Sequence, residues 1–121
     1  MPVKKILVVD DSPTERHFLT EMLAKAGYSV IIADSGEQAI EVAKKEIPDL
    51  ILMDVVMPGM NGYQATRTIT REELTRHIPV IMCTSKGQET DRIWGMRQGA
   101  HDYLVKPIDS ATLLGKIASL G

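Results

Sequence analysis

The chain has 121 residues, of which 44% are apolar and 25% charged, a balance that fits one domain with a sizeable core and excludes intrinsic disorder. Fourteen Lys and Arg against 16 Asp and Glu leave a formal charge of -2, without the basic excess that binding a nucleic-acid backbone requires. The single cysteine, Cys83, excludes an internal disulfide and points to a reduced compartment, while no apolar stretch approaches the roughly 18 residues of a membrane helix.

The N-terminus MPVKKILVVDD turns acidic too early for a secretory signal. The expectation is therefore a cytoplasmic single domain over 1–121, monomeric, with no nucleic-acid partner and no membrane insertion. Its few scattered aromatics (Phe18, Tyr28, Tyr63, Trp94, Tyr103) offer no stacking platform, so aliphatic packing carries the fold.

In chain order, Ile6 to Val9 forms the first strand-length apolar run. Ser12 as cap and Pro13 at the first helical position open a helix whose apolar residues are Phe18, Leu19, Met22, Leu23 and Ala26, with Gly27 as its stop. Val30 to Ala33 is the second strand, followed after Ser35 and Gly36 by a helix carrying Ala39, Ile40 and Ala43. Leu50 to Met53 is the third strand. The helix predicted over Tyr63 to Glu73 is a poor one, because Thr66, Thr68 and Thr70 are indifferent helix formers. Val80 to Cys83 is the fourth strand, and Gly95 interrupts the next helix, Thr90 to Gln98. These two weak helices are expected to be the mobile elements. Tyr103 to Val105 is the fifth strand, and Leu113, Leu114, Ile117 and Ala118 mark a last helix after Asp109.

The strand runs are continuously apolar rather than alternating, the pattern of strands covered on both faces of a parallel sheet. Strand and helix alternate throughout, so the expected fold is an open, doubly wound α/β sheet with right-handed crossovers.

In such sheets the functional site lies beyond the carboxyl ends of the strands. Those ends carry Asp10 and Asp11, then Asp54, then Thr84 and Ser85, then Lys106, while the second strand ends apart in Asp34 and Ser35. If the first and third strands are neighbours, three carboxylates crowd one pocket, which raises their pKa values or recruits a cation. Oxygen donors without His or Cys select a hard ion, and Mg²⁺ suits them better than Ca²⁺. Lys106 and Thr84 could hold phosphoryl oxygens from the opposite side. Asp54 ends an apolar strand and precedes the turn-rich VVMPG, which makes it the candidate nucleophile of phosphoryl transfer. Lys106-Pro107 stands where a cis bond would aim the lysine inward, although only about 5–6% of such bonds are cis and trans is the default.

The motifs VVDDS (8–12), LMDVVMPGMNG (52–62), PVIMCTS (79–85) and GAHDYLVKP (99–107) together resemble those of response-regulator receiver domains across almost the whole chain. The resemblance implies a flavodoxin-like sheet of five parallel strands in the order 2-1-3-4-5 with five helices. It implies Asp54 as phospho-acceptor, Asp10 and Asp11 as the acidic pair, Asp11 a direct Mg²⁺ ligand and Val56 a donor through its backbone carbonyl. Thr84 takes the place of the switch hydroxyl, Lys106 of the phosphate-contacting lysine and Tyr103 of the switch aromatic. The implied partners are a histidine kinase or histidine phosphotransfer domain upstream and a motility protein downstream. Such a protein is a phospho-acceptor that assists its own phosphotransfer and dephosphorylation, not an enzyme acting on free substrates. Val56 and Lys86 stand where chemotaxis receivers have side chains that help to position the attacking water. No output domain follows in this sequence, and NGYQATRTIT with QETDRIWGMRQGAHDYL most resembles PilH-type regulators of type IV pilus twitching motility.

Taken singly, these residues have structural readings: Asp10 or Asp11 as a helix cap, Thr84 as a strand-end residue, Lys106 as a solvated lysine, Tyr103 as core. Trp94 is either an exposed contact or half-buried packing, Cys83 reads as a small buried residue, and His17, His77 and His101 as surface. Two alternative functions are a flavodoxin-like nucleotide binder, which Asp10 and Asp11 would repel, and a magnesium-dependent phosphatase with an aspartate nucleophile, for which no cap insertion is seen.

Overall fold

A computed structural model describes residues 2–120. The strands are β1 (Lys5–Val9), β2 (Ser29–Ala33), β3 (Leu50–Met53), β4 (Val80–Thr84) and β5 (Asp102–Val105), and the helices are α1 (Pro13–Lys25), α2 (Gly36–Glu46), α3 (Gly62–Arg71), α4 (Glu89–Arg97) and α5 (Ser110–Leu120). All strand pairs are parallel and the order is β2-β1-β3-β4-β5, so β1 and β3 are neighbours, as the crowding argument requires. No helix among the described residues is long and apolar enough to cross a membrane.

Successive side chains of a strand point to opposite faces, and the core divides accordingly. Ile6, Val8, Leu50, Leu52, Ile81 and Cys83 pack with Leu19 and Leu23 of α1 and Leu113 and Ile117 of α5. Leu7, Val9, Ile51, Met53, Val80 and Met82 pack on the other side with Ala39 and Ala43 of α2 and Ala65 and Ile69 of α3. Both faces of the central strands β1, β3 and β4 are thus covered, which is why their runs do not alternate, whereas the edge strands β2 and β5, expected to be covered likewise, leave Ile32 and Val105 about half exposed because each has a neighbour on one side only.

The caps follow the sequence. Ser12 Oγ accepts from the Glu15 N–H at 3.3 Å and Ser35 Oγ from the Gln38 N–H at 3.1 Å. After α1, Gly27 adopts φ +96°, and Tyr28 N–H donates back to the Leu23 carbonyl.

Two expectations are corrected. Phe18 is 51% exposed and does not join the core. Adjacent helix positions lie about 100° apart, so Leu19 and Leu23 take the sheet-facing stripe and turn Phe18 outward. The Tyr63 helix is not loose: α3 buries Tyr63, Ala65, Thr66 and Ile69 and begins with a reciprocal capping box between Asn61 and Gln64. Two of its threonines are partnered, Thr68 Oγ donating to the Gln64 carbonyl and Thr70 Oγ to those of Thr66 and Gln98, while the buried Thr66 hydroxyl has no partner. By contrast α4 buries only Gly95 and leaves Ile93, Trp94 and Met96 exposed.

At the amino end of the sheet, Asp49 Oδ2 accepts the N–H groups of Lys4 and Lys5, both at 2.9 Å. The Lys5 N–H, then that of Lys4, holds this carboxyl below its usual value. A depressed carboxyl stabilises the fold above its unfolded pKa of 3.8 and loses that contribution as pH falls through the folded value. Asp49→Ala is expected to cost about 1 kcal/mol at neutral pH, read as a lower urea midpoint, because water takes over part of both bonds. The deficit relative to wild type should shrink in acid.

Candidate functional site

At the carboxyl end of the sheet, β1 delivers Asp10, buried and held by its Oδ1, which accepts the Ser12 N–H at 2.9 Å. Asp10 is not the helix cap, a role that Ser12 takes; one of its oxygens holds the Ser12 N–H just before the helix, and the other faces Lys106. Asp11 follows on the solvent side and is exposed. Next door, β3 delivers Asp54, 6% exposed, whose Oδ1 accepts the Val55 N–H at 2.8 Å. Ligand oxygens of Asp10, Asp11 and Asp54 all lie within 4.8 Å of one another.

From the far side, β5 ends in Lys106, whose Nζ lies 2.7 Å from Asp10 Oδ2, 3.5 Å from Asp54 Oδ2 and 3.8 Å from Glu15 Oε2. The Lys106-Pro107 bond is cis. Burial pulls the Lys106 ammonium down, but the Asp10 hydrogen bond and the charges of Asp54, Asp10 and Glu15 outweigh it and its pKa is raised. For Asp54, burial pushes the carboxyl up and Asp10 adds to this. The pulls from Lys106, the Val55 N–H and the Thr84 hydroxyl are not enough to restore the usual value. Lys106 therefore stays charged while Asp54 is held as an under-compensated, basic carboxylate.

Thr84 closes β4 fully buried, its Oγ accepting the Lys86 N–H at 3.2 Å. Tyr103 is 7% exposed, and its hydroxyl donates to the Lys86 carbonyl at 2.6 Å. One residue, Lys86, therefore links Thr84 to Tyr103 through its N–H and its carbonyl. Val56, two residues after Asp54, has a side chain 55% exposed.

The structure therefore brings Asp10, Asp11, Asp54 and Lys106 together, sets Thr84 and Tyr103 on the adjoining strands, and leaves Asp34 apart, its N–H donating to Gln38 Oε1. His17, His77 and His101 are exposed, and Cys83 is buried, its thiol pushed by burial up to about 12.

Sequence reasoning missed three contributors. Glu15, at the third position of α1, reaches Lys106, and Arg16 Nη1 donates to the Asp10 carbonyl at 2.8 Å. The spacing Ser12-x-x-Glu15 signals a helix start but not this second role. The third is Gly62: a Cβ there would overlap the Asp54 carbonyl oxygen and lie 2.8 Å from its carbon. α3 starts against the backbone of Asp54, with Gly62 N–H donating to the Val55 carbonyl at 2.9 Å.

Residues 6–118 match the response regulator receiver domain family. The chain is 56% identical over 113 residues to protein PilH of Pseudomonas aeruginosa, a match covering 93% of each. Other curated relatives, at 38–42% identity, are longer, and the chain spans only 26–51% of their length. Among solved structures it is similar to chemotaxis protein CheY4 of Vibrio cholerae, with TM-score 0.90, 32% identity and coverage of 98% of this chain and 99% of that one. It is also similar to the receiver domain of sensor histidine kinase PA1611 of Pseudomonas aeruginosa, which has a magnesium ion coordinated in its active site cleft; there the TM-score is 0.88, the identity 36% and the coverage 95% and 94%. A family match over nearly all the residues that build this sheet and its acidic edge leaves one assignment: the chain belongs to the response regulator receiver domain family.

Proposed function

We propose that this chain works as a single receiver domain without an attached output domain, accepting a phosphoryl group on Asp54 from a phosphohistidine of a histidine kinase or phosphotransfer domain. A carboxylate oxygen of Asp54 forms the new bond to phosphorus as the bond to the imidazole nitrogen breaks, and the departing imidazole takes up a proton. The observation that carries this reading is the convergence of the Asp10, Asp11 and Asp54 oxygens within 4.8 Å, faced by the Lys106 ammonium.

The donor set fits Mg²⁺: three carboxylates with no His or Cys, two of them buried and Asp11 open to water, plus the main chain of Val56. When bound, Mg²⁺ would offset the negative charge gathering on the phosphoryl oxygens. Lys106 would hold one of those oxygens as a point charge, and the Thr84 hydroxyl would donate to another. Repositioning of Thr84 would reach Tyr103 through the Lys86 main chain, changing the face formed by α4 and β5 that a downstream protein reads. The likeness to protein PilH supports reading that downstream protein as one of motility control.

The test is incubation with a small phosphoramidate and Mg²⁺, followed by borohydride reduction and peptide mass analysis. Conversion of Asp54 to homoserine in its peptide, as borohydride reduces the acyl phosphate and phosphate departs, is the expected result, and it is absent when Mg²⁺ is chelated. Modification elsewhere, or incorporation indifferent to chelation, would refute the assignment.

A further inference from the structure

Gly95 sits in the interior of α4, where glycine is a poor helix former, and it is the one residue of that helix that is buried. A Cβ there would lie 2.9 Å from Tyr103 Cδ2, 3.0 Å from Tyr103 Cε2 and 3.0 Å from Met82 Sδ. The Tyr103 ring thus occupies the volume that any other side chain at 95 would need. Its hydroxyl is tied to the Lys86 carbonyl at 2.6 Å, and the Lys86 N–H is tied to Thr84 Oγ at 3.2 Å. On the neighbouring helix, the Tyr63 hydroxyl donates to the Asp91 carbonyl at 3.1 Å, fixing the first turn of α4 to α3.

We propose that Gly95 is a positioning residue for Tyr103: the missing Cβ opens the inward seat between α4 and Met82, and so sets the balance between buried and exposed Tyr103. Through the Lys86 main chain that balance extends to Thr84 at the acceptor pocket. The inference rests on the proposed function in taking Tyr103 as the group that couples the pocket to the α4 and β5 face. It adds a residue on α4 that touches neither phosphate nor metal.

The test compares Gly95→Ala with Gly115→Ala, a change in α5 where a new Cβ meets nothing within 4 Å. Both substitutions raise helix propensity. Tyr103 ring protons are followed by NMR with a soluble paramagnetic agent, together with the Lys86 amide shift. Gly95→Ala is expected to move the ratio of exposed to buried Tyr103 by at least about tenfold and to shift Lys86, whereas Gly115→Ala leaves both unchanged. A Tyr103 ring as protected in Gly95→Ala as in wild type overturns the proposal.

If Gly95→Ala alone unfolds, a double-mutant cycle with Tyr103→Ala decides. The alanine at 95 should destabilise more when the Tyr103 ring is present than when Met82 Sδ alone meets the new Cβ, and an equal effect in both backgrounds overturns the proposal. Neither readout involves phosphotransfer, so their failure leaves the acceptor role of Asp54 standing. Failure of phosphorylation at Asp54, equally, leaves these packing results intact.

Discussion

Asp54→Asn is expected to lose phosphoryl incorporation by more than about 10³-fold, the scale on which removal of a nucleophile acts, and at the same time to melt at a higher temperature than wild type near neutral pH. The two effects share one cause. Asp54 is 6% exposed and lies beside buried Asp10, and the single ammonium of Lys106 sits closer to Asp10, at 2.7 Å, than to Asp54, at 3.5 Å. Burial, reinforced by Asp10, therefore keeps the Asp54 carboxyl above its usual value of 3.8. A carboxyl raised in the folded state binds its proton more tightly there than when unfolded, so stability falls as pH rises from 3.8 through the folded pKa. The isosteric amide carries no charge, which removes that loss. Thermal unfolding should accordingly show Asp54→Asn ahead of wild type at about pH 7.5 and level with it in acid below 3.8. Added Mg²⁺ should raise the wild-type midpoint much more than that of the variant, since the variant has one carboxylate fewer to offer. A variant no more stable than wild type at neutral pH would show that Lys106 compensates Asp54 fully. The same charge imbalance that costs stability leaves an anionic oxygen available for attack on phosphorus.

How much of this was legible beforehand depends on whether the signal was local. Continuous runs such as LILM and VIMC announce strands covered on both faces because each residue must be apolar, and the residue that ends each run then lies at the site edge. Asp10, Asp54, Thr84 and Lys106 could be read that way, since each directly ends an apolar run. The orientation of Phe18 could not, because an apolar residue beside Leu19 looks the same whether it faces the sheet or the solvent. Nor could the anchoring of α3. Its threonines are poor formers in isolation, and only the fold supplies the Gln98 carbonyl that accepts from Thr70 and the burial of Thr66. Gly95 reads along the chain as a helix interruption, and in space it is the floor under Tyr103. A side chain that is absent leaves no trace in a sequence until its neighbours are known.

Gly62→Ala is the substitution in which that principle has its largest expected consequence for stability. At this position the obstacle is backbone rather than a side chain that could swing aside. The added Cβ would overlap the Asp54 carbonyl oxygen, lie 2.8 Å from the Asp54 carbonyl carbon and 2.9 Å from the Val55 Cα. Relief requires α3 to retreat from the end of β3. The Gly62 N–H bond to the Val55 carbonyl, 2.9 Å long, and the capping box of Asn61 with Gln64 both pin α3 there. Overpacking into a well-filled interior costs about 1–3 kcal/mol even where side chains can adjust, so a rigid backbone obstacle should cost about 3 kcal/mol or more. For a domain of this size that lowers the melting midpoint by roughly 10 °C. The displaced segment carries Asp54 and Val55, whose N–H holds the Asp54 Oδ1 at 2.8 Å. Phosphoryl incorporation at a temperature where the variant is still folded should therefore fall as well, while α1 and β2, far from the retreating helix, keep their amide exchange protection. A stable Gly62→Ala protein with wild-type phosphorylation would mean that the loop from Val55 to Asn61 has more slack than its packing indicates. The start of α3 would then not be what holds the acceptor strand end in place.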